Sequence, residues 1–118
     1  MAVPIDNETW LIQAGDAVMQ KRASSGSDSL APWERLVYCL WVADYGMRNA
    51  GDLDAAHAVY VDFQSEARLI AKDMALRLTH DAFSLPPRVF AHEYFNRFDQ
   101  ICHEIRTAAA FGGTAQAG

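Results

Sequence analysis

The stretch WERLVYCLWVA, residues 33–43, constrains the fold more than any other part of the chain. Wound as a helix at about 100° per residue, it is apolar almost all the way round. Trp33, Leu36, Val37, Leu40 and Trp41 fall on one half, with Tyr38, Cys39 and Val42 behind them. A helix without a polar face must be surrounded by other elements, so the rest of the chain has to supply its neighbours. Pro32 suits the first helical position, where its missing N–H costs nothing. The expected central helix therefore runs from Pro32 to Tyr45.

The candidate neighbours are helical too. A first helix over Glu8–Arg22 carries Trp10, Ala14, Ala17 and Val18 on one side, with Asp6 or Asn7 as its cap. The segment ASSGSDS, residues 23–29, reads as a polar linker. From Leu53 to Leu78 there is neither proline nor glycine, and an apolar stripe runs through Ala56, Tyr60, Phe63, Ala67 and Ile70. A single long helix is expected there, capped by Asp52 with Asp54 in its first turn, and with Val61 as the place for any kink. A loop, THDAFSLPP, leads to a last helix over Pro87–Arg106, whose inner stripe is Phe90, Tyr94, Phe98, Ile101 and Ile105. No β-branched run alternates with period two. The expectation is an all-α fold, a compact bundle of four to five helices, with residues 1–110 as one domain and 111–118 as a flexible tail.

Between the second and third helices the chain reads DYGMRNAGDLDAA. Gly46 is expected to end the central helix in a left-handed conformation, with Asn49 and Gly51 as further turn formers. Asp44 falls on the apolar side of that helix, so its carboxylate needs partners. Arg48 and the N–H groups of the turn are the nearest. Asp44, Gly46, Arg48, Asn49 and Gly51 thus form a structural turn, with Asp44 as a clamp rather than a catalytic carboxylate.

Of the 118 residues 51 % are hydrophobic and 21 % charged, the profile of a soluble globular protein. No apolar run approaches the roughly 20 residues that span a bilayer, and MAVPIDNETW lacks the regions of a signal peptide. A cytoplasmic protein is expected, with Cys39 and Cys102 as reduced core thiols. The net charge is −5, from fifteen acids against ten bases. That disfavours direct binding to nucleic acid, which needs cations against phosphates, and the helices are not basic enough for a membrane surface. The segment from Asp44 to Glu66 holds five acids and one base.

LAPWERLVYCLWVADYGMRNAG, residues 30–51, resembles the bacterial DNA-mimic-protein-like family, a domain of unknown function. Leu30, Pro32, Trp33, Tyr38, Leu40 and Trp41 match its layout of a helix-opening Leu-Thr/Ser-Pro step followed by a Tyr/Trp-rich run. Asn49 and Gly51 stand at its Asn-Gly-Gly turn. Ala50 replaces the middle glycine, Gly46 the usual glutamate, and Asp52 an aromatic. The resemblance implies an all-helical acidic domain without known catalysis, presenting carboxylates that imitate DNA phosphates to a DNA-binding protein.

Asp62, Glu66 and Asp73 share one side of the third helix, with Arg68 and Lys72 on the other. Like charges at i, i+4 cost a few tenths of a kcal/mol unless something uses them. With Asp52 and Asp54 they make an acidic strip suited to a basic protein partner, and exposed aromatics would also support a homodimer. The alternative is a helical-bundle enzyme, metal-dependent or acting on a small molecule, that uses His57 or His103. Asp54 with His57, or Asp99 with His103, has chelating spacing, but HEYFN is not HExxH and no Glu-x-x-His pair is present. No cofactor, metal or catalytic residue is expected. GMRNAG lacks the lysine of a phosphate-binding loop.

Overall fold

The computed structural model describes residues 5–116, with side chains as far as residue 110. Six α-helices and one 3-10 turn follow in order: α1 Asn7–Ser25, the turn Ser27–Ser29, α2 Pro32–Ala50, α3 Asp54–Val59, α4 Phe63–Asp73, α5 Arg77–Phe83 and α6 Pro87–Gln116. The fold is all-α, as expected, and no strand occurs among the described residues. Helix α2 lies at the centre and packs against α1, α3, α4 and α6. Its Leu36, Val37, Cys39, Leu40, Val42 and Ala43 are wholly buried. The helix is not sealed on every side, however. Trp33, Tyr38 and Trp41 are only partly buried, and Tyr45 is exposed.

The first helix starts as its sequence suggests. The Asp6 carboxylate accepts the Thr9 N–H at 2.7 Å, satisfying one of the amides that a helix start leaves open. Arg106 ties this end to α6 by donating to Ile5 O and Asn7 Oδ1. The ammonium of Lys21 reaches Glu34 at 2.9 Å, linking α1 to the first turn of α2. Glu34 also accepts the Ala31 N–H.

Helix α2 does not stop at Gly46. It continues to Ala50, and Gly51 supplies the left-handed residue with φ of 75°. Arg48 and Asn49 are helical as well, and Asn49 Nδ2 donates to Tyr45 O one turn back. Gly46 has another use. A Cβ there would lie 2.9 Å from Asp52 O and 3.0 Å from Ala56 N, so its missing side chain lets the start of α3 fold against α2. Asp52 is not the N-cap either. Helix α3 begins at Asp54, and Asp52 Oδ1 accepts the Asp54 N–H in a local turn.

The long helix expected over Leu53–Leu78 is three helices. The chain breaks at Tyr60–Asp62, around the foreseen kink, where Tyr60 is extended and its phenol turns to Glu66. It breaks again at Ala75, which holds φ of 59° without being glycine. The Leu76 N–H donates to Ala71 O and the Ala75 N–H to Lys72 O, the pair of bonds that closes a helix in a Schellman turn. A non-glycine residue in that conformation costs about 1 kcal/mol, and partial burial of Met74 and Leu76 offsets it.

Part of the expected loop 79–87 is helix α5. The cause lies 25 residues further on. Glu104, on α6, accepts the N–H groups of Leu78 and Thr79 and the Thr79 hydroxyl. A carboxylate from another helix thus caps the start of α5 and favours its positive end. Helix α6 carries Phe90, Tyr94, Phe98, Ile101, Cys102 and Ile105 into the core. Its backbone runs past Arg106 to Gln116. The tail expected over 111–118 otherwise lies outside the described residues.

Candidate functional site

Two buried or half-buried carboxylates organise the molecule. Asp44 is 7 % exposed. It accepts Tyr94 Oη–H at 2.7 Å from α6 and Arg48 Nε–H at 3.0 Å from one turn along α2. The Arg48 guanidinium lies 5.0 Å over the Phe95 ring and 5.1 Å over Phe98, and its other edge is 3.7 Å from Glu8. Burial, reinforced by the Asp44 charge, holds the Tyr94 phenol well above its ordinary pKa, so it stays a donor. Asp44 and Tyr94 are buried, while the Arg48 side chain is 32 % exposed at the edge of the group.

Glu66 has the same kinds of donor in a more open place. Tyr60 Oη–H donates to Oε1 at 2.7 Å, Arg35 Nη2–H to the same oxygen at 3.1 Å, and Cys39 Sγ–H to Oε2 at 3.4 Å. The Glu66 side chain is 19 % exposed and that of Arg35 40 %. Burial alone would raise the Glu66 pKa, but the hydrogen bonds from Tyr60, Arg35 and Cys39 outweigh it and the net shift is downward. The hydrogen bond to Glu66 pushes the Tyr60 phenol up to about 12. Burial, then the Glu66 charge, drives the Cys39 thiol well up. At neutral pH the group is therefore an ionised acceptor surrounded by protonated donors. It offers neither a base poised near neutrality nor a reactive thiolate.

Glu66 opens onto a shallow groove of about 380 Å³ along α4. Asp62 and Asp73 flank the groove, while Ser65, Leu69 and Ile70 line it between them. Leu69 is 55 % exposed. The structure thus brings Asp62, Glu66 and Asp73 together, but not Asp52 and Asp54. Those two are exposed at the α2–α3 corner, outside the groove lining. Asp73 lies at the C-terminal end of α4, where a negative charge opposes the helix dipole, and among the described residues Arg77 makes no ion pair with it.

The histidines stand apart. His57 packs its ring 5.1 Å from Phe63, and His92 and His103 are exposed on α6. Asp99 accepts from Asn7. Among the described residues no group of three or more His, Cys, Asp and Glu side chains is placed to hold a metal. Both cysteines are free and buried, and burial raises Cys102 to about 12.

Apart from Arg48, the partners of the two carboxylates were hidden from sequence reasoning. Tyr94 is 50 positions from Asp44, and Arg35 is 31 from Glu66. Tyr60 and Tyr94 both counted as core stripe. The available signal was a polar residue, Arg35, on a nearly all-apolar helix. No helix among the described residues is long and apolar enough to cross a membrane. In comparisons with known proteins, the chain matches no family model, no curated protein and no solved structure.

Proposed function

We propose that this protein is a cytosolic, non-catalytic acidic domain that binds a basic, partly apolar segment of another protein in the groove along α4. The observation that supports this most is the pairing of chemistries in one place. Asp62 and Asp73 stand at the groove's flanks, Glu66 at its wall, and Leu69 and Ile70 between them. Along an α-helix, positions 62 and 73 are separated by about 16 Å of rise, room for two or three turns of a docked helix. An amphipathic basic helix would lay its apolar residues on Leu69 and Ile70 and its cations against the acids, the helix-in-groove mode of recognition. The acids would speed encounter and set register more than they would add affinity. Asp52 and Asp54 extend the negative field beyond the groove and steer the approach.

A DNA-binding protein of bacterial origin is the class of partner suggested by the phosphate-imitating family that residues 30–51 resemble. In that reading the α4 carboxylates stand in for phosphates. Two buried reduced thiols suit a cytosolic setting.

The test uses a fluorescein-labelled peptide with arginines on one helical face and leucines on the other, against a glutamate-for-arginine counterpart. Fluorescence anisotropy should show binding of the basic peptide only. The double variant Asp62→Lys, Asp73→Lys should bind it about tenfold or more weakly, while Asp52→Lys, Asp54→Lys should lose only about twofold to threefold. Equal losses in the two double variants, or none in either, would reject the groove as the binding surface.

A further inference from the structure

Arg35, Tyr60 and Glu66, which border the α4 groove, also border a second and smaller cavity of about 70 Å³. Arg22 and Arg35, Tyr38 and Tyr60, and Ser27 line it, with Leu30 and Glu66 completing the wall. It sits where the end of α1, the 3-10 turn, α2 and the α3–α4 break meet. We propose that this cavity is a binding site for a small oxyanion, a phosphate or a carboxylate, held between the guanidinium groups of Arg22 and Arg35.

Size and charge support this choice. A water molecule occupies about 30 Å³ in the liquid, so the cavity takes a group of two or three waters' volume. It is far below the roughly 300–1,000 Å³ of sites for drug-sized ligands. Two guanidiniums against the single Glu66 carboxylate leave it with net positive charge, in a chain whose own net charge is −5. Arg22 holds its guanidinium 4.9 Å over the Tyr38 ring and makes no ion pair among the described residues. Its donors are therefore oriented and uncommitted. Arg35 gives Nη2 to Glu66, and a guanidinium has five N–H donors in all, so it can serve Glu66 and an anion together. Tyr38 and Ser27, both hydroxyl-bearing, belong to the same wall. Planar guanidinium forks match the paired oxygens of phosphate and carboxylate.

The test needs no protein partner, so its failure and the failure of the groove reading are distinguishable. The full chain, labelled with nitrogen-15, is titrated with sodium phosphate and separately with sodium acetate, with sodium chloride holding ionic strength constant. The expected result is saturable shifts confined to Arg22, Ser27, Arg35 and their neighbours, including the Arg22 and Arg35 Nε–H signals. Saturation with phosphate alone assigns a tetrahedral anion, and with acetate as well a carboxylate-tolerant site. Arg22 is on the surface, so Arg22→Gln leaves the fold intact by circular dichroism. It should weaken binding about tenfold or more, the loss of a charge-assisted hydrogen bond. Shifts that grow linearly without saturating, or that are the same in Arg22→Gln, overturn the proposal.

Discussion

Asp44 and Glu66 are each held by a tyrosine hydroxyl at 2.7 Å and an arginine near 3 Å. What differs is the surroundings. Arg48 lies over two phenylalanine rings, and Asp44 and Tyr94 are buried where α2 meets α6. Arg35 lies over no ring among the described residues, and the Glu66 group borders two cavities. A carboxylate, a phenol and a guanidinium do not by themselves make a site. With the carboxylate and the phenol buried between them, the set fixes two helices relative to each other. With one edge open, it presents charge to whatever docks there.

The contrast can be broken most directly by truncation. Asp44→Ala removes one partner of a buried pair and leaves the Tyr94 hydroxyl unsatisfied. It should cost about 3 kcal/mol, toward the lower end for such losses because Arg48 keeps some access to water. That lowers the melting temperature by roughly 10 °C or more. Glu66→Ala should cost only about 1 kcal/mol, its pair being partly solvated. Equal losses in thermal denaturation would erase the distinction between clamp and site.

A smaller effect sharpens it. Glu104 is a third carboxylate with a structural task, capping α5 from α6. Glu104→Ala should cost about 1–2 kcal/mol. In hydrogen exchange the loss should concentrate in α5 and spare the α4 groove. Uniform loss of protection would mean that α5 is not an element held by that cap.

The smallest effects are in pH dependence. The folded pKa of Glu66 lies below its ordinary 4.5, so its contribution is full above that value and is lost as pH falls through the folded one. Glu66→Gln should therefore flatten the acid limb of the stability curve below pH 4.5. It should not abolish that limb, because the Asp6 carboxyl is also lowered, by the Thr9 side chain and N–H. Tyr60 has the opposite sign. Its neutral form is favoured in the fold, so its contribution is intact below pH 10 and is lost between 10 and about 12. Tyr60→Phe should remove that alkaline component, as read by urea denaturation across the range.

The sequence carried the architecture further than it carried the site. The apolar run of α2, Pro32 and Pro87 at helix starts and the stripe of α6 are local patterns, and all are helical in the structure. Gly46 misled because glycine serves both left-handed turns and close packing, and only the position of Ala56 decides between them. The third segment misled for a related reason. Its helical periodicity is continuous, while the breaks at Tyr60 and Ala75 come from tertiary contacts and from an alanine in a conformation that composition does not announce. Helix α5 was invisible because its cap, Glu104, comes from another helix. Asp44 with Arg48 was legible at i, i+4; Tyr94 was not. Asp62, Glu66 and Asp73 were legible as one face, but the donors that hold Glu66 and the apolar floor beside it required the fold.

The central claim is that the open carboxylate group on α4, and not the closed one on α2, belongs to the functional surface. The most direct measurement is a nitrogen-15 chemical-shift map of the full chain with the arginine–leucine peptide at saturation. The expected result is a continuous patch through Asp62, Ser65, Glu66, Leu69 and Asp73, with the amides of Asp44 and Arg48 unmoved. A patch centred on Asp44, Arg48 and Phe95, or no saturable patch at all, would contradict it.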